Sequence, residues 1–400
     1  MSIIQQEKFS TLIDTYEEEM IALRRHFHAN PELSYEEVET PKTIAAFHRA
    51  LGHDVREHVG GNGVVATLKG HKPGKTVALR ADFDALAITE ETGLSFQSTI
   101  NGRMHACGHD GHTATLLIVA KALNALQHEL AGTIVFIHQH AEELAPGGAI
   151  AMIEDGCLEG VDVIFGTHLW APLELGTIYT APGPLMAAAD AIYITIQGKG
   201  GHGSNPSDTK DSILIASQFI VNLQQIVSRR INPLHPAVIS IGHIEALNPF
   251  NVIADQVYLK GTVRTFNAEE RDLIEKEIES LLQATCAYMK ASYTYEYVRG
   301  YPAVVNHPAE TNHIMQTVEK MPELQGLVCE PQMGGEDFAY YLEHVPGNFF
   351  FTGAKNPEWS EVYPHHHPKF DIDERALAIA AKVLGHATLD YLNNKKEVLA

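Results

Sequence analysis

The chain has 400 residues, 45% apolar and 20% charged, the make-up of a globular protein with room for two domains of ordinary size. Its 50 acidic residues outnumber the 29 basic ones, and the formal charge of −21 argues against a nucleic-acid or anionic-membrane partner, because phosphate surfaces demand basic ones. No apolar run approaches the roughly 18 residues of a membrane span, the start "MSIIQQEKFSTLIDTYEEEM" is acidic and amphipathic, unlike a secretion signal, and Cys107, Cys157, Cys286 and Cys329 lie far apart, so the expectation is a cytoplasmic protein without a disulfide framework.

Apolar positions at helical spacing predict a helix over "EKFSTLIDTYEEEMIALRRHFH" and another over "PELSYEEVETPKTIAAFHRAL". Short β-branched runs, "NGVVATL" and "KTVALRAD", predict strands, followed by a long apolar helix, "HTATLLIVAKALNALQHEL", and the strands "GTIVFIHQH" and "VDVIFGTHL". This alternation points to an α/β layered domain with a mostly parallel mixed sheet. The proline- and glycine-rich "TAPGPLMAAAD", Thr180 to Asp190, reads as a linker. After it the pattern changes to "AIYITIQGKGG" (strand), "DSILIASQFIVNLQQIVSRR" (helix), "AVISIGHIEAL" and "VYLKGTVRTF" (strands), "EERDLIEKEIESLLQATCAYMKA" (helix) and "SYTYEYVRG" (strand). Two helices among four strands make a self-contained α+β sandwich. From Tyr301 the chain returns to α/β character, with "NFFFTG" as a strand and "ERALAIAAKVLGHATLDYLNN" as a final helix. The layout is one domain, residues 1–183 and 300–400, interrupted by another, residues 184–299.

The stretch "MHACGHDGHT" carries His105, Cys107, His109, Asp110 and His112 within ten residues. Thiol chemistry is one reading, weakened by the absence of a Cys-x-x-Cys pair. Three other polar clusters favour a metal site: Glu142 and Glu143 directly after the strand "TIVFI", His168 after "DVIF", and His365, His366 and His367 in a loop before the last helix. Sites in open α/β sheets form beyond the carboxyl ends of the strands, where several of these clusters fall. Thiolate, imidazole and carboxylate are the ligand set of zinc and similar divalent ions.

The stretches "LRRHFHANPELSYEE", "ALRADFDALAITEETG", "MHACGHDGHTATLL", "HQHAEELAPGGA", "GTHLW", "GKGGHGSNPS", "FNVIADQVYLKGTVRTF", "GGEDFAYYL" and "HHHPKFDIDE", in this order over nearly the whole chain, resemble the metal-dependent amidohydrolase family that contains aminoacylases, hippurate hydrolases and auxin–amino acid conjugate hydrolases. The resemblance implies an α/β catalytic domain with an inserted α+β sandwich as lid and dimerisation domain. It further implies two divalent metal ions per subunit (zinc, manganese, nickel or cobalt), with Cys107 as a bridging thiolate and His109, Glu143, His168 and His366 as further ligands. Three histidines in a row leave His365 and His367 as alternatives to His366. Asp84 of "RADFDAL" resembles a carboxylate that orients a ligand, with a helix cap or salt bridge as the structural alternative. Glu142 would be the general base that takes a proton from metal-activated water and returns it to the departing amine. His202 of "KGGHGSNPS" would face the substrate and stabilise the oxyanion, within its own subunit or across a dimer. Arg264 of "GTVRTF" would bind a substrate carboxylate, or form an ion pair on the strand surface. The implied activity is hydrolysis of an N-acyl (acetyl, benzoyl or similar) amino acid by a homodimer or higher homo-oligomer. A dipeptidase and a metal-binding protein without turnover are the alternatives. The chain departs from the family pattern at His140, and at the alanines of "DALAI" and "NVIAD", where proline is usual; no ligand is affected.

Overall fold

The computed structural model describes residues 2–393, which divide into two compact units. Of the described residues, 2–185, 304–330 and 337–393 form the first unit, and 186–303 and 331–336 the second. The short segment Pro331–Glu336 therefore groups with the second unit, although it lies far beyond residue 299.

The first unit is built on an eight-stranded mixed sheet in the order Asp54–Val59, Gly63–Lys69, Ala131–Gln139, Lys72–Asp82, Val163–Glu174, Gly347–Lys355, Thr177–Thr180, Gln325–Val328. Its four central strands, from Ala131–Gln139 to Gly347–Lys355, are mutually parallel. They are nearly continuous apolar runs because helices cover them, as parallel sheets require. The helix His109–Ala125 is buried on almost every side, and the helix Arg375–Asn393 packs against the sheet on the same core through Leu377, Ala381, Leu384 and Ala387. Asn394, the last residue expected in that final helix, lies outside the described residues. Among the described residues no helix is long and apolar enough to cross a membrane.

The elements differ from the sequence expectation where side chains or pairing override periodicity. The first helix is interrupted at Tyr16, giving Ser2–Thr15 and Glu17–Ala29; the Tyr16 N–H is shared between the carbonyls of Leu12 and Ile13 at 3.0 and 3.1 Å. In the next segment only Glu39–Ala50 is helical, because the Glu32 carboxylate accepts the N–H groups of Val38, Glu39 and Thr40 at 2.9–3.1 Å and caps the helix there. The expected linker contains a strand, Gly183–Met186, paired with Val304–Asn306 where the chain leaves the first unit and returns to it.

The second unit has a four-stranded antiparallel sheet, ordered Ala237–Glu245, Gln256–Thr265, Ala188–Gln197, Ser292–Arg299. Strand Ala188–Gln197 alternates buried and half-buried residues, and Ile192, Ile194 and Ile196 share a core with Ile215 and Phe219 of one helix and Ile274, Ile278 and Leu282 of the other. Both helices start at side-chain caps, Asp211 and Asn267.

A chain of three buried histidines starts and ends on the helix His109–Ala125. Asn124 donates its amide to the Leu51 carbonyl, so its oxygen accepts from His53 Nε2 at 3.3 Å. His53 Nδ1 is then an acceptor for His48 Nδ1 at 2.9 Å, His48 Nε2 for His138 Nε2 at 2.9 Å, and His138 Nδ1 for the Thr113 hydroxyl at 2.7 Å. Each ring nitrogen has one partner and none has room for another proton. Burial, with the two neighbouring imidazoles, pushes His48 down to about 2; burial pushes His138 down to about 3 and lowers His53. Unfolded, these histidines titrate near ~6.5. The unfolded chain therefore binds more protons as the pH falls below that value, and the stability the chain confers above it is lost toward acid. His48→Leu should orphan His53 Nδ1 and His138 Nε2 at a cost of roughly 1–3 kcal/mol each at neutral pH. It should also flatten the fall in urea midpoint between pH 7.5 and 5, followed by tryptophan fluorescence. An undiminished slope would show that the three rings titrate freely in the folded protein.

Candidate metal centre

Strand register brings the clusters together. Lys72–Asp82 pairs Asp82 with Gln139, and pairs Arg80 with Gly166, two residues before His168. The ends of three parallel strands thus deliver Asp82 and Asp84, Glu142 and Glu143, and His168 to one edge of the sheet. Below them lies a buried knot. Arg80 donates to Asp82 and Asp337, both at 2.7 Å, and to Gln139 at 2.9 Å, while the Gln139 amide donates to Asp337 at 2.7 Å.

Cys107 and His109 enter from the start of the helix His109–Ala125. Gly108 between them has φ 101°, a left-handed turn that glycine adopts without strain, and a Cβ on Gly111 would lie 2.6 Å from Leu169 Cδ1. The next residue, Asp110, is fixed from behind by Arg24 at 3.2 Å and His28 at 2.9 Å. Burial opposes a charge on His28, yet Asp110 and Glu90 outweigh it and raise the imidazole to about 9. Ala141, just before the glutamate pair, has φ 54°, and its N–H is held by Glu37 at 2.9 Å; His366 has φ 66°, and its N–H is held by the Ala106 carbonyl at 2.8 Å. Both are backbone conformations that non-glycine residues rarely adopt, at the two loops that present acidic and imidazole groups.

Cys107 Sγ lies 3.4 Å from His168 Nε2 and 3.7 Å from His365 Nδ1. His109 Nε2 lies 3.7 Å from a Glu143 oxygen and 3.9 Å from a Glu142 oxygen, and the other Glu143 oxygen is 3.3 Å from His366 Nε2. Three sets, Cys107–His168–His365, Cys107–Glu143–His366 and His109–Glu142–Glu143, each have their donor atoms within 4.8 Å of one another. Asp84 accepts from His109 Nδ1 at 3.1 Å, from the Glu143 N–H at 2.9 Å and from the Ser34 hydroxyl at 2.6 Å, so one carboxylate orients both residues.

Sequence reasoning gave no role to Asp82 or His112. His112 Nδ1 donates to Asp82 at 2.6 Å, and its Nε2 accepts the Leu169 N–H at 2.9 Å, which steadies the residue beside His168. The available signals were the Asp82-x-Asp84 spacing at a strand end and the one-turn spacing of His109 and His112. His367 is committed elsewhere: its Nδ1 accepts the Lys369 N–H at 3.0 Å and its ring stacks on Tyr363 at 4.6 Å. His140 packs edge-on against Tyr35 with centroids 6.0 Å apart. Among the described residues it joins none of the donor sets.

His202 and Arg264 belong to the second unit. His202 is exposed on the two-residue strand Gly201–His202, and its Nδ1 accepts the Ser204 N–H at 3.1 Å, which leaves the ring proton on Nε2. Arg264 is half-buried and donates to Thr262 and to the Val263 carbonyl on its own strand. Burial lowers its guanidinium despite Asp190, and Asp190 is itself taken up by Arg271 and Tyr297.

The donor set fits a cation. Buried His109 Nε2 and Glu143 Oε1 have no hydrogen-bond partner, which is costly without a ligand. Burial and the charges of Glu143, Glu142 and Asp82 push the Cys107 thiol well above its usual range, while the His109 imidazole rises to about 10 because Asp82, Asp84 and Glu143 outweigh its burial. The carboxylates that contribute to both shifts make a concentration of negative charge that divalent ions would neutralise. Asp84→Ala should weaken divalent-ion retention by about 10–100-fold in chelator competition. Unchanged retention would separate Asp84 from the site.

Residues 78–390 match the model of peptidase family M20/M25/M40. The chain is 57% identical to the protein YhaA of Bacillus subtilis, whose name classes it as an amidohydrolase, over 96% of this chain and 98% of that one. It is 44% identical to the N-acyl-L-amino acid amidohydrolase of Geobacillus stearothermophilus, over 76% of this chain and 82% of that one. Its fold matches the crystal structure of the Bacillus subtilis YXEP protein, described as a dinuclear metal-binding peptidase of family M20, with a TM-score of 0.82, 36% identity and coverage of 95% of this chain and 99% of that one. The resemblance to metal-dependent amidohydrolases is therefore borne out, and the chain belongs to peptidase family M20/M25/M40.

Proposed function

We propose that this chain removes the acyl group from N-acyl amino acids, such as N-acetyl or N-benzoyl derivatives, by hydrolysing their amide bond. Cys107, His109, Glu143, His168 and His366 would hold two divalent ions, for which zinc, manganese, nickel and cobalt all suit the donor set. Bound there, such ions lower the pKa of water toward ~7 and polarise an amide carbonyl.

The observation that carries the reading is the adjacency of Glu142 and Glu143, whose carboxylates approach the same His109 nitrogen at 3.9 and 3.7 Å. Hydrolysis of an amide needs one group to anchor and another to move a proton, within hydrogen-bond reach of the same water. Glu143 is tied to Asp84 through its N–H and faces His366, which suits a fixed ligand. Glu142 would then take the proton from water and hand it to the departing amine nitrogen, which must leave protonated. Asp84 and Asp82 engage Nδ1 of His109 and His112, so that Nε2 is the His109 atom left to face a cation. In the second unit, the exposed Nε2–H of His202 is the donor type that a developing oxyanion accepts, and the half-buried Arg264 guanidinium is the type that pairs with a substrate carboxylate.

Glu142→Gln should leave the metal content unchanged and reduce hydrolysis of N-acetyl and N-benzoyl amino acids by about 10²–10⁴-fold. Full activity would remove Glu142 as the base, loss of metal would make it a ligand, and a preference for dipeptides over acylated amino acids would overturn the substrate class. Assembly as a homodimer through the second unit is supported by the exposure there of Leu234, Leu247 and Phe250. Sedimentation should give a particle of twice the 44.0 kDa chain mass, and a monomer would refute the assembly.

A further inference from the structure

The three consecutive histidines of "PHHHP" have different surroundings. The Ala171 N–H donates to His365 Nε2 at 3.3 Å. A backbone N–H can only donate, so Nε2 carries the lone pair and the proton of the neutral ring is on Nδ1. That Nδ1 is the atom 3.7 Å from Cys107 Sγ. His168, the other imidazole beside the sulfur, has the opposite arrangement: its Nδ1 donates to the Leu169 carbonyl at 2.9 Å, so the Nε2 at 3.4 Å from the sulfur is a lone pair. Lone pairs on a thiolate and on an imidazole repel unless a cation lies between them. An N–H within reach of a thiolate attracts it directly.

The ring of His365 has little freedom to exchange these roles. It is packed against Trp170 with centroids 4.6 Å apart, against Phe370 at 5.0 Å and against the edge of His168 at 5.1 Å. His366 faces Glu143 instead, at 3.3 Å.

We propose that His365 is a positioning residue for Cys107, donating an Nδ1–H hydrogen bond to the thiolate sulfur, which leaves His366 in the ligand role given to it above. The proposal rests on the reading of Cys107 as a metal-bound thiolate. A hydrogen bond to a ligating sulfur draws electron density from the metal–sulfur bond and fixes the sulfur's position, as outer hydrogen bonds do for imidazole and carboxylate ligands. It also stabilises the sulfur lone pairs, so more energy is needed to move an electron from sulfur to metal.

The test is the absorption spectrum of the full-length protein loaded with cobalt(II), together with its cobalt content. Wild type should show a thiolate-to-cobalt charge-transfer band. His365→Phe keeps a ring in the aromatic clamp but has no N–H, and should move the band to longer wavelength with cobalt content unchanged. His365→Asn places an amide N–H near the position of Nδ1 and should move the band back toward that of wild type. A band unmoved in His365→Phe, or displaced equally in both variants, would overturn the hydrogen bond. Loss of one cobalt equivalent in His365→Phe, with both retained in His366→Ala, would make His365 the ligand and overturn the assignment. Absence of the band in wild type, or its survival in Cys107→Ser, would overturn the metal-bound thiolate itself and the proposal with it.

Discussion

Lone pairs and carboxylate oxygens are made to face one another at one edge of the central sheet. Cys107 Sγ opposes His168 Nε2, and Glu143 opposes His109 Nε2 and His366 Nε2, with Glu142 alongside. Burial and the charges of Glu143, Glu142 and Asp82 push the Cys107 thiol up, while Asp82, Asp84 and Glu143 outweigh burial and raise the His109 imidazole. Divalent ions held there would neutralise the same carboxylate charge. The arrangement persists because surrounding groups hold each donor in place: Asp84 holds His109 and Glu143, Asp82 and the Leu169 N–H hold His112, and Arg80 holds Asp82.

Much of this was legible in the letters. The strand-end positions of Glu142, Glu143 and His168, and the spacing of Cys107 and His109, pointed to side chains that converge, because parallel strands direct their carboxyl ends to one side of a sheet. The α+β insertion was equally legible, because alternating strands and amphipathic helices contrast with the apolar parallel strands around them. Other features were hidden because their cause is a hydrogen bond between residues distant in sequence, or one made by a backbone group. Glu32 shortens a helix that periodicity would have begun near Pro31. Strand pairing, not composition, gives structure to Gly183–Met186 inside a glycine- and proline-rich stretch.

The histidine triplet shows this limit most clearly. Nothing in "HHHP" distinguishes its three rings. Their surroundings separate them: His365 Nε2 accepts the N–H of Ala171, His366 Nε2 faces the carboxylate of Glu143, and His367 Nδ1 accepts the N–H of Lys369. The same accounting separates His112, whose two nitrogens are both engaged, from His109, whose Nε2 has no partner. Residue type nominates a ligand; the partner of its second nitrogen decides whether a lone pair is available to bind a cation.

Whether these donors share cations can be read from anomalous diffraction of crystals of the protein, recorded above and below the absorption edge of the metal it carries. Two anomalous peaks should flank Cys107 Sγ, in contact with His168, His109, Glu143 and His366 and separate from His112 and His367. Peaks confined to other parts of the molecule, or a centre in which Cys107 touches no metal, would show that the donors do not.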